Sequence, residues 1–534
     1  MTSEPRAFLA LDKGAATVAA ALIGRVAGRW RLVGSIAMPA DAQLEAVISV
    51  LGDRVLEAEP EFAAGLGLRP GSVLELPRLE VASQGPGRLA VVAASARGLA
   101  PLVASASRSG WRTSSGSADA IDPLAMSMLL LDPGVSAILV GAADPPGVDE
   151  RRGIGELAAL VAAVAERRPD LTIILAGAMT DHLSAFRDAD RRSGEIVLAP
   201  AAQRDMPGGP LADLLLELAL PAGDSHRSLG PAAATLAEVL DRQVDIVEIG
   251  FDAGTRVSAR PNSGGGPPAF DLAVVPAAAL SHAEPDDAMV DRVGSWSTWG
   301  ADRHRLRDRL RELDVAPWSD AAGEGSALRM AAARAALARL AERTSDWDHR
   351  PPADLVVAAG GAWAVASAPA VALAIADVLR RPGASQYALD HARLLAPLGS
   401  IPDPGERRAI ITDLLDDLLV PLGTFVTPAG LRSGRSAGSM VVHGSDGDTE
   451  HDLQPGGLTR VRLAPGVEAV AEFRFRDTVK LGARGRHFAV DVAGGLGGLI
   501  VDLRDVPLNL PERADLRGEL LESWEQALLH GPEA

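Results

Sequence analysis

The stretch FLALDKGAATVAAAL, residues 8–22, decides which fold the rest of the chain must be tested against. An apolar run ends at Asp12, a turn of small residues surrounds Gly14, and a second apolar run begins at Thr17. Strand, turn and returning strand predict a β-hairpin. The tip of such a hairpin is either an ordinary turn or a cradle of backbone N–H groups for phosphate, with an acid beside it. These residues alone leave both interpretations open.

Composition narrows the class of protein. The chain has 534 residues, of which 47% are apolar, so it is long enough for several domains with their own cores. A net charge of −18 argues against a nucleic-acid-binding protein, because such proteins need a basic face. Cysteine is absent, which excludes disulfides, thiolate metal sites and cysteine nucleophiles.

Targeting signals are not apparent either. The first residues lack a basic segment followed by a long apolar one, so no signal peptide is predicted and a cytoplasmic protein is expected. Residues 355–376 carry no charge and approach the length of a membrane span, but Gly360, Gly361 and Pro369 interrupt them. A strand, a glycine turn and a helix are predicted there instead, and no membrane partner is expected.

The pattern along the chain repeats once. Residues 7–37 predict three antiparallel strands, and strands alternating with helices follow. The stretch VDIVEIGFDAGTRVSAR, residues 244–260, again predicts strand, glycine turn and strand. The predicted domains are therefore a first α/β half over residues 1–240, a second over 241–429, a Gly/Ser/Asp-rich linker over 430–457, and a β-rich C-terminal module with a final helix over 458–534.

Three segments in this order, LDKGAAT, VEIGFDAGT and VVAAGGAWAV, resemble the phosphate and nucleoside loops of the actin, Hsp70 and sugar-kinase ATPase superfamily. The resemblance implies an α/β fold with two actin-like (ribonuclease H-like) halves around a cleft. It also implies that the two hairpin tips hold ATP phosphates and Mg²⁺, and that the Gly-Gly turn holds the nucleoside.

More narrowly, the chain resembles the component-L family, the accessory proteins of coenzyme-B12-dependent glutamate mutase. The family's opening acid-x-Gly-Ser-x-Thr is similar to residues 12–17, its second-half Asp-x-Gly-Gly-Ala-Thr-Thr-Asp is similar to EIGFDAGT at 248–255, and its Gly-Gly turn and LAPLGSI segment align with residues 360–362 and 395–401. The resemblance implies a chaperone or reactivating partner of a B12-dependent mutase.

The chain also departs from the family pattern. Ala15 replaces the serine of the first loop, Glu248 replaces an aspartate, and Phe251 replaces a glycine of the second loop. The two threonines and the final acid of the second loop are missing, and with them groups that would orient a water for attack on phosphate. Nucleotide binding is therefore expected to be weakened, and ATP hydrolysis weak or absent, as in a pseudoenzyme.

The candidate site follows from these alignments, although every glycine turn in it also fits an ordinary turn. No catalytic residue is assigned, and Asp12 and Glu248 are the candidate metal ligands. Two alternatives to the accessory role remain: a non-catalytic scaffold of the same fold, and a small-molecule kinase, for which no acceptor-activating aspartate motif is apparent. The candidate nucleotide-binding residues are Asp12, Lys13, Gly14, Ala15, Thr17, Glu248, Gly250, Gly360 and Gly361.

Overall fold

The structure is a computed structural model. It describes residues 6–143, 145–184, 195–262, 269–281, 284–297, 302–317, 323–432, 435–445 and 447–529. The chain divides into two compact units, and each is described by itself. Unit 1 comprises Met1–Ser83, Ala222–Asp271 and Ala278–Ala534, and unit 2 comprises Gln84–Pro221 and Leu272–Ala277.

Strands and helices alternate through much of the chain. The strands are β1 Ala7–Lys13, β2 Thr17–Val26, β3 Arg29–Pro39, β4 Arg78–Ala82, β5 Arg88–Ala93, β6 Arg112–Ser117, β7 Val135–Gly141, β8 Thr172–Ala176, β9 Ile196–Ala199, β10 Val244–Ile249, β11 Gly254–Arg260, β12 Ala269–Val275, β13 Leu355–Ala359, β14 Gly383–Leu389, β15 Val420–Thr427, β16 Gly438–Gly444, β17 Gly447–Leu453, β18 Leu458–Val461, β19 Glu468–Leu481, β20 Ala483–Ala493 and β21 Leu499–Asp502.

The α-helices are α1 Leu44–Ala58, α2 Pro60–Gly65, α3 Ala96–Ala106, α4 Pro123–Leu130, α5 Val148–Arg167, α6 Pro210–Ala219, α7 Ser225–Leu240, α8 Asp287–Gly294, α9 Arg303–Val315, α10 Glu324–Arg343, α11 Ala368–Val378, α12 Leu395–Gly399, α13 Pro404–Leu418 and α14 Ala514–Leu529. Short 3₁₀ helices span Ser72–Glu75, Gly177–His182, Pro276–Ala278, Ser345–His349 and Gly361–Val365.

The first predicted meander forms a four-stranded sheet in unit 1, in the order β3-β2-β1-β4. β1 pairs antiparallel with β2 and parallel with β4. Alternate residues of β1, among them Leu9 and Leu11, pack against Val47, Ile48 and Leu51 of α1 in one buried cluster. β1 is buried on both faces, and the face that carries Leu9 and Leu11 packs with the apolar face of α1, which helps to fix the position of the β1–β2 turn.

The second predicted meander begins an eight-stranded sheet of order β12-β11-β10-β13-β14-β15-β21-β18. β10 pairs antiparallel with β11 and parallel with β13, as β1 does with β2 and β4. In both meanders, the first strand therefore has an antiparallel neighbour on one side and a parallel strand on the other. The predicted α/β class is confirmed, because the chain is a mixed α/β protein with several sheets; the two actin-like halves around a cleft stay a prediction.

Unit 2 contains a five-stranded, all-parallel sheet of order β6-β5-β7-β8-β9. Successive residues of β5 point to opposite faces, so Ala90 and Val92 belong to one buried cluster while Leu89 and Val91 belong to the other. A parallel sheet needs both faces covered, and helices of this unit supply the apolar side chains for each face.

The linker prediction for residues 430–457 is wrong over most of its length. β16 and β17 lie inside it and form an antiparallel hairpin, and β16 also pairs with β19. Met440 and Val442 of β16 are buried, whereas most residues of β17 are exposed. Glycine and serine suggested a loop, but the cross-strand pairing with β19 outweighs that local preference. The other predicted domain boundaries stay predictions.

The C-terminal strands are divided between two sheets. β17-β16-β19-β20 form an antiparallel sheet, whereas β18 and β21 extend the eight-stranded sheet beside β15. Buried ion pairs add to this attachment: the Arg504 guanidinium lies 2.7 Å from Asp377 of α11 and 2.8 Å from Asp502 of β21. The same guanidinium lies over the Trp524 ring of α14, 4.4 Å from its centroid. This region is therefore continuous with the preceding sheet.

The charge-free segment at residues 355–376 forms β13, the 3₁₀ helix Gly361–Val365 and the first part of α11, as its glycine and proline residues predict. In the described part of the chain, no helix combines the length and apolar character needed to cross a membrane.

Candidate functional site

A pocket of about 580 Å³, counting the open space at its mouth, lies in unit 1 where the predicted loops meet. Gly14, Ala15 and Thr17 of the β1–β2 turn line it together with Glu248 and Gly250 of the β10–β11 turn. We call these two turns the first loop (residues 12–17) and the second loop (residues 248–254).

The two loop glycines serve their own turns. The Gly14 amide donates to the Thr17 carbonyl at 2.8 Å, and the Gly250 amide donates to the Ala253 carbonyl at 2.9 Å. A Cβ on Gly250 would lie 2.8 Å from that same Ala253 oxygen. Glycine is therefore required here by tight-turn geometry, and these two amides are engaged within the protein rather than presented to a ligand.

The acid of the first loop is paired with an arginine that the sequence did not suggest. Asp12 is 7% exposed, and its Oδ2 accepts from Arg393 Nε at 2.7 Å and lies 2.5 Å from Arg393 Nη2. Arg393 Nη1 also donates to the Thr17 hydroxyl. Burial raises the pKa of Asp12, and the guanidinium opposes that rise. Oδ1 of Asp12 is buried and has no hydrogen-bond partner among the described residues.

Local structure holds Arg393 in this place. Arg393 has a φ of +55°, a left-handed conformation that is unfavourable for a residue other than glycine. Asp390, at the end of β14, stabilises the turn because its carboxylate accepts from the amides of Leu394 and Leu395 at 2.9 and 3.0 Å. The strained backbone at Arg393 is thus maintained by a buried hydrogen-bonded turn that directs the guanidinium toward Asp12.

The acid of the second loop is paired with a histidine. Glu248 Oε2 lies 2.8 Å from Nδ1 of His226, which is buried in the first turn of α7. The aspartate that caps α7, Asp224, accepts from the His226 amide at 2.9 Å. Burial disfavours the charged imidazole, but Glu248, Asp224 and Asp252 outweigh it and raise the pKa of His226 to about 10. Burial likewise disfavours the Glu248 carboxylate, and His226 nevertheless keeps the pKa of Glu248 below its usual range.

A hydroxyl completes this network. Ser83 Oγ lies 3.0 Å from His226 Nε2 and donates to Asp252 at 3.1 Å. Serine, histidine and Glu248 therefore have the distances of a nucleophilic triad. Their proton arrangement is different, because an imidazole with a pKa of about 10 is already protonated at neutral pH and the serine proton is directed to Asp252. His226 cannot act as a general base in this state.

The predicted Mg²⁺ does not fit these side chains. Mg²⁺ takes oxygen ligands in octahedral geometry, and both candidate ligands already hold a cation: Asp12 holds Arg393, and Glu248 holds His226. Among the described residues, no group of three or more histidine or acidic side chains is placed to hold a metal ion. Oδ1 of Asp12 is without a partner among the described residues, so a Mg²⁺ held there would take most of its ligands from water and phosphate.

The remaining predicted residues divide into two groups. Gly361 lines the pocket, and a Cβ there would lie 3.5 Å from the Thr17 hydroxyl. Gly360 has a φ of +94°, and a Cβ added to it would lie 2.6 Å from the Ile249 carbonyl oxygen. Gly360 therefore packs against the backbone of the second loop and does not line the pocket. Lys13 pairs with Glu80 on the neighbouring strand β4 and does not line the pocket. The structure thus brings together six of the nine predicted residues in the pocket wall.

The sequence analysis did not identify the two cationic side chains that pair with the loop acids, His226 and Arg393. His226 stands two residues after the Asp224 cap of α7, and a histidine in the first turn of a helix that precedes the second meander was a usable signal. Arg393 had none, because the chain is rich in arginine and 381 residues separate it from Asp12. Arg329 of α10 also lines the pocket, and the sequence analysis did not single it out.

Comparison with known proteins adds little to this description. The sequence matches no protein-family model and no curated protein. Among solved structures, the chain is similar to the Aquifex aeolicus PPX-GPPA enzyme (8% identity, 76% of this chain and 88% of that chain, TM-score 0.19), to the ROK hexokinase of Thermus thermophilus (14%, 74% and 97%, 0.21) and to YeaZ from Pseudomonas aeruginosa (14%, 51% and 69%, 0.13). Such low TM-scores support no statement about function.

Proposed function

We propose that this protein binds a nucleotide in the pocket between its two loops, hydrolyses it slowly or not at all, and acts through protein contacts rather than through catalysis. The observation that supports the proposal is the convergence of both predicted phosphate loops and Gly361 on one pocket. The Thr17 hydroxyl and the Arg393 guanidinium give this pocket donors that suit phosphate oxygens.

We expect slow hydrolysis because the acidic side chains of the pocket already have partners within the protein. In-line attack on a phosphate needs a group that orients water. Asp12 and Glu248 are engaged with Arg393 and His226, and Asp252 accepts from Ser83. The pocket therefore favours binding over turnover.

The partner that we propose is a coenzyme-B12-dependent mutase in the cytoplasm, with this chain as its accessory or reactivating protein. Support comes from the ordered resemblance of residues 12–17, 248–255, 360–362 and 395–401 to the component-L family. A nucleotide that binds one conformation of the loops more tightly than another would shift the population toward the conformation that binds or releases the mutase.

A non-catalytic scaffold is the second candidate, and one observation favours it. Each loop acid is neutralised by a protein cation, so the pocket is electrostatically satisfied without any ligand. In this case the cleft would be a structural remnant, and binding of the mutase would not respond to nucleotide.

Calorimetric titration of ATP into the purified full chain distinguishes the two candidates. We expect saturable binding, with ATP turnover at background level. A B12-dependent mutase of the same organism should then be retained by the immobilised protein, with an affinity that changes when ATP is added. Absence of ATP binding with unchanged mutase retention would establish the scaffold, and brisk hydrolysis would contradict the proposed function.

A further inference from the structure

Arg393 contributes a guanidinium to the wall of the pocket. It is held by Asp12 through Nε and Nη2 and by Thr17 through Nη1. A guanidinium has five N–H donors, and these bonds use three of them. One N–H on each terminal nitrogen remains, and the side chain is 13% exposed and lines the pocket.

We infer that Arg393 takes the place of the divalent cation, so that this pocket binds the phosphates of a nucleotide without Mg²⁺. The inference rests on the proposed nucleotide binding and specifies its chemistry: the ligand is the metal-free polyphosphate. Two N–H groups on adjacent nitrogens form a planar fork that matches two oxygens of one phosphate.

The packing around the Arg393 guanidinium holds it in a defined position. A Cβ on Gly14 would lie 3.0 Å from Arg393 Nη2. The absence of a side chain at Gly14 therefore leaves room for the arginine beneath the first loop, where an approach of the ligand had been expected. Asp390 and the left-handed backbone of Arg393 hold the other end of the side chain.

Charge supports the same conclusion. A Mg²⁺ ion that binds Asp12 must compete with Arg393, because two cations at one carboxylate repel each other in a buried site. On the second loop, Glu248 is paired with His226, whose pKa of about 10 keeps it charged at neutral pH. The acids of both loops thus already hold protein cations, and the remaining N–H groups of Arg393 supply the donors that meet the ligand.

The test is a titration of ATP into the full chain, once in EDTA and once in excess Mg²⁺, for the unmodified protein and for two variants. Arg393→Gln removes the pocket cation and frees Asp12. Arg408→Gln is the matched control, because Arg408 makes an exposed pair with Glu238 on another surface of the same unit. Melting temperatures of all three proteins establish that they are folded.

For the unmodified protein and for Arg408→Gln we expect dissociation constants in EDTA and in Mg²⁺ that agree within about threefold, a difference of less than about 1 kcal/mol. Arg393→Gln should bind ATP about tenfold more weakly or worse in EDTA, as the loss of a charge-assisted contact requires. Mg²⁺ should partly restore its binding, because Asp12 is now free to hold the metal.

Three results would overturn the inference. If EDTA abolishes binding to the unmodified protein while Mg²⁺ supports it, the proposed nucleotide binding stands and Arg393 is not the replacing cation. If a folded Arg393→Gln variant binds ATP as tightly as the parent in EDTA, the arginine does not contact the phosphates. If ATP binds under neither condition, the proposed function itself fails. The first result needs no variant, so it is informative even if Arg393→Gln does not fold.

Discussion

The two loops of unit 1 have the same strand–turn–strand architecture, yet they neutralise their acids in different ways. Asp12 is paired with an arginine, which carries its charge at every accessible pH, and Glu248 is paired with a histidine, which does not. The arginine comes from a turn far away in the sequence, and the histidine comes from the helix directly before the second meander. Equivalent positions in a repeated topology therefore do not imply equivalent chemistry, and only the second loop has a cation that should lose its charge as pH rises toward 10.

Removing the first-loop cation should have the largest effect on stability. Arg393→Gln leaves the Asp12 carboxylate buried without a partner, which should lower the free energy of unfolding by about 3–5 kcal/mol. Chemical denaturation measures this change in the free energy of unfolding. Arg408→Gln, which breaks an exposed pair, should lose less than about 1 kcal/mol.

A double variant sharpens this prediction. Asp12→Asn combined with Arg393→Gln removes both charges and should regain much of the lost stability, since no uncompensated charge remains. If the double variant is as unstable as the sum of the two single variants, the two residues do not act as a pair.

Removing the second-loop cation should have a smaller effect that depends on pH. Because the pKa of His226 is raised to about 10 in the folded protein and is about 6.5 when unfolded, its contribution is fully present below about pH 6.5. The contribution should decrease as pH rises and disappear near pH 10. His226→Gln should cost about 2–3 kcal/mol at pH 6 and progressively less toward pH 10.

Urea unfolding at several pH values tests this difference between the loops. His304→Gln, on the exposed surface of α9, is the control and should leave the pH dependence unchanged. A constant difference in stability between the parent and His226→Gln from pH 6 to pH 10 would show that the His226–Glu248 pair is not charged.

The Gly-Gly turn offers a matched pair of substitutions, because each glycine contacts a different loop. Gly360→Ala forces a side chain to 2.6 Å from the Ile249 carbonyl at a φ of +94°, and should cost about 1–3 kcal/mol of stability. Gly361→Ala meets only the Thr17 hydroxyl at 3.5 Å and should change stability by less than about 0.5 kcal/mol. Thermal unfolding of the two variants side by side gives the answer, and equal losses would contradict the different packing of the two glycines.

The smallest expected effect, on ATP affinity, concerns Phe251. This residue lines the pocket at the position where the second loop of the component-L family has glycine. Phe251→Gly should tighten ATP binding about 2–5-fold, less than about 1 kcal/mol, because the ring narrows the second-loop side of the pocket. Phe251→Leu keeps an apolar side chain there and serves as the control. Calorimetry measures both, and weaker binding by the glycine variant would mean that the ring contributes to the ligand contact.

Much of the fold was predictable because its signals are local. Short apolar runs in residues 7–37 and 244–260, separated by turns of small residues, predict both meanders and the loops at their tips. The prediction of a linker at residues 430–457 was wrong because the glycine and serine content of this stretch is typical of loops. β17 exposes most of its side chains, so its alternation carries no hydrophobic signal, and pairing with β16 makes it a strand.

By itself, the sequence determined the α/β class, the two meanders, and six of the residues in the pocket wall, since each depends on neighbouring residues in the chain. The tertiary structure alone decided which cation meets which acid. Arg393 reaches Asp12 across 381 positions only after β1 and β14 have taken their places in two different sheets. A charge partner depends on distance in space rather than on local propensity, so the chemistry of the pocket appears only once the chain has folded.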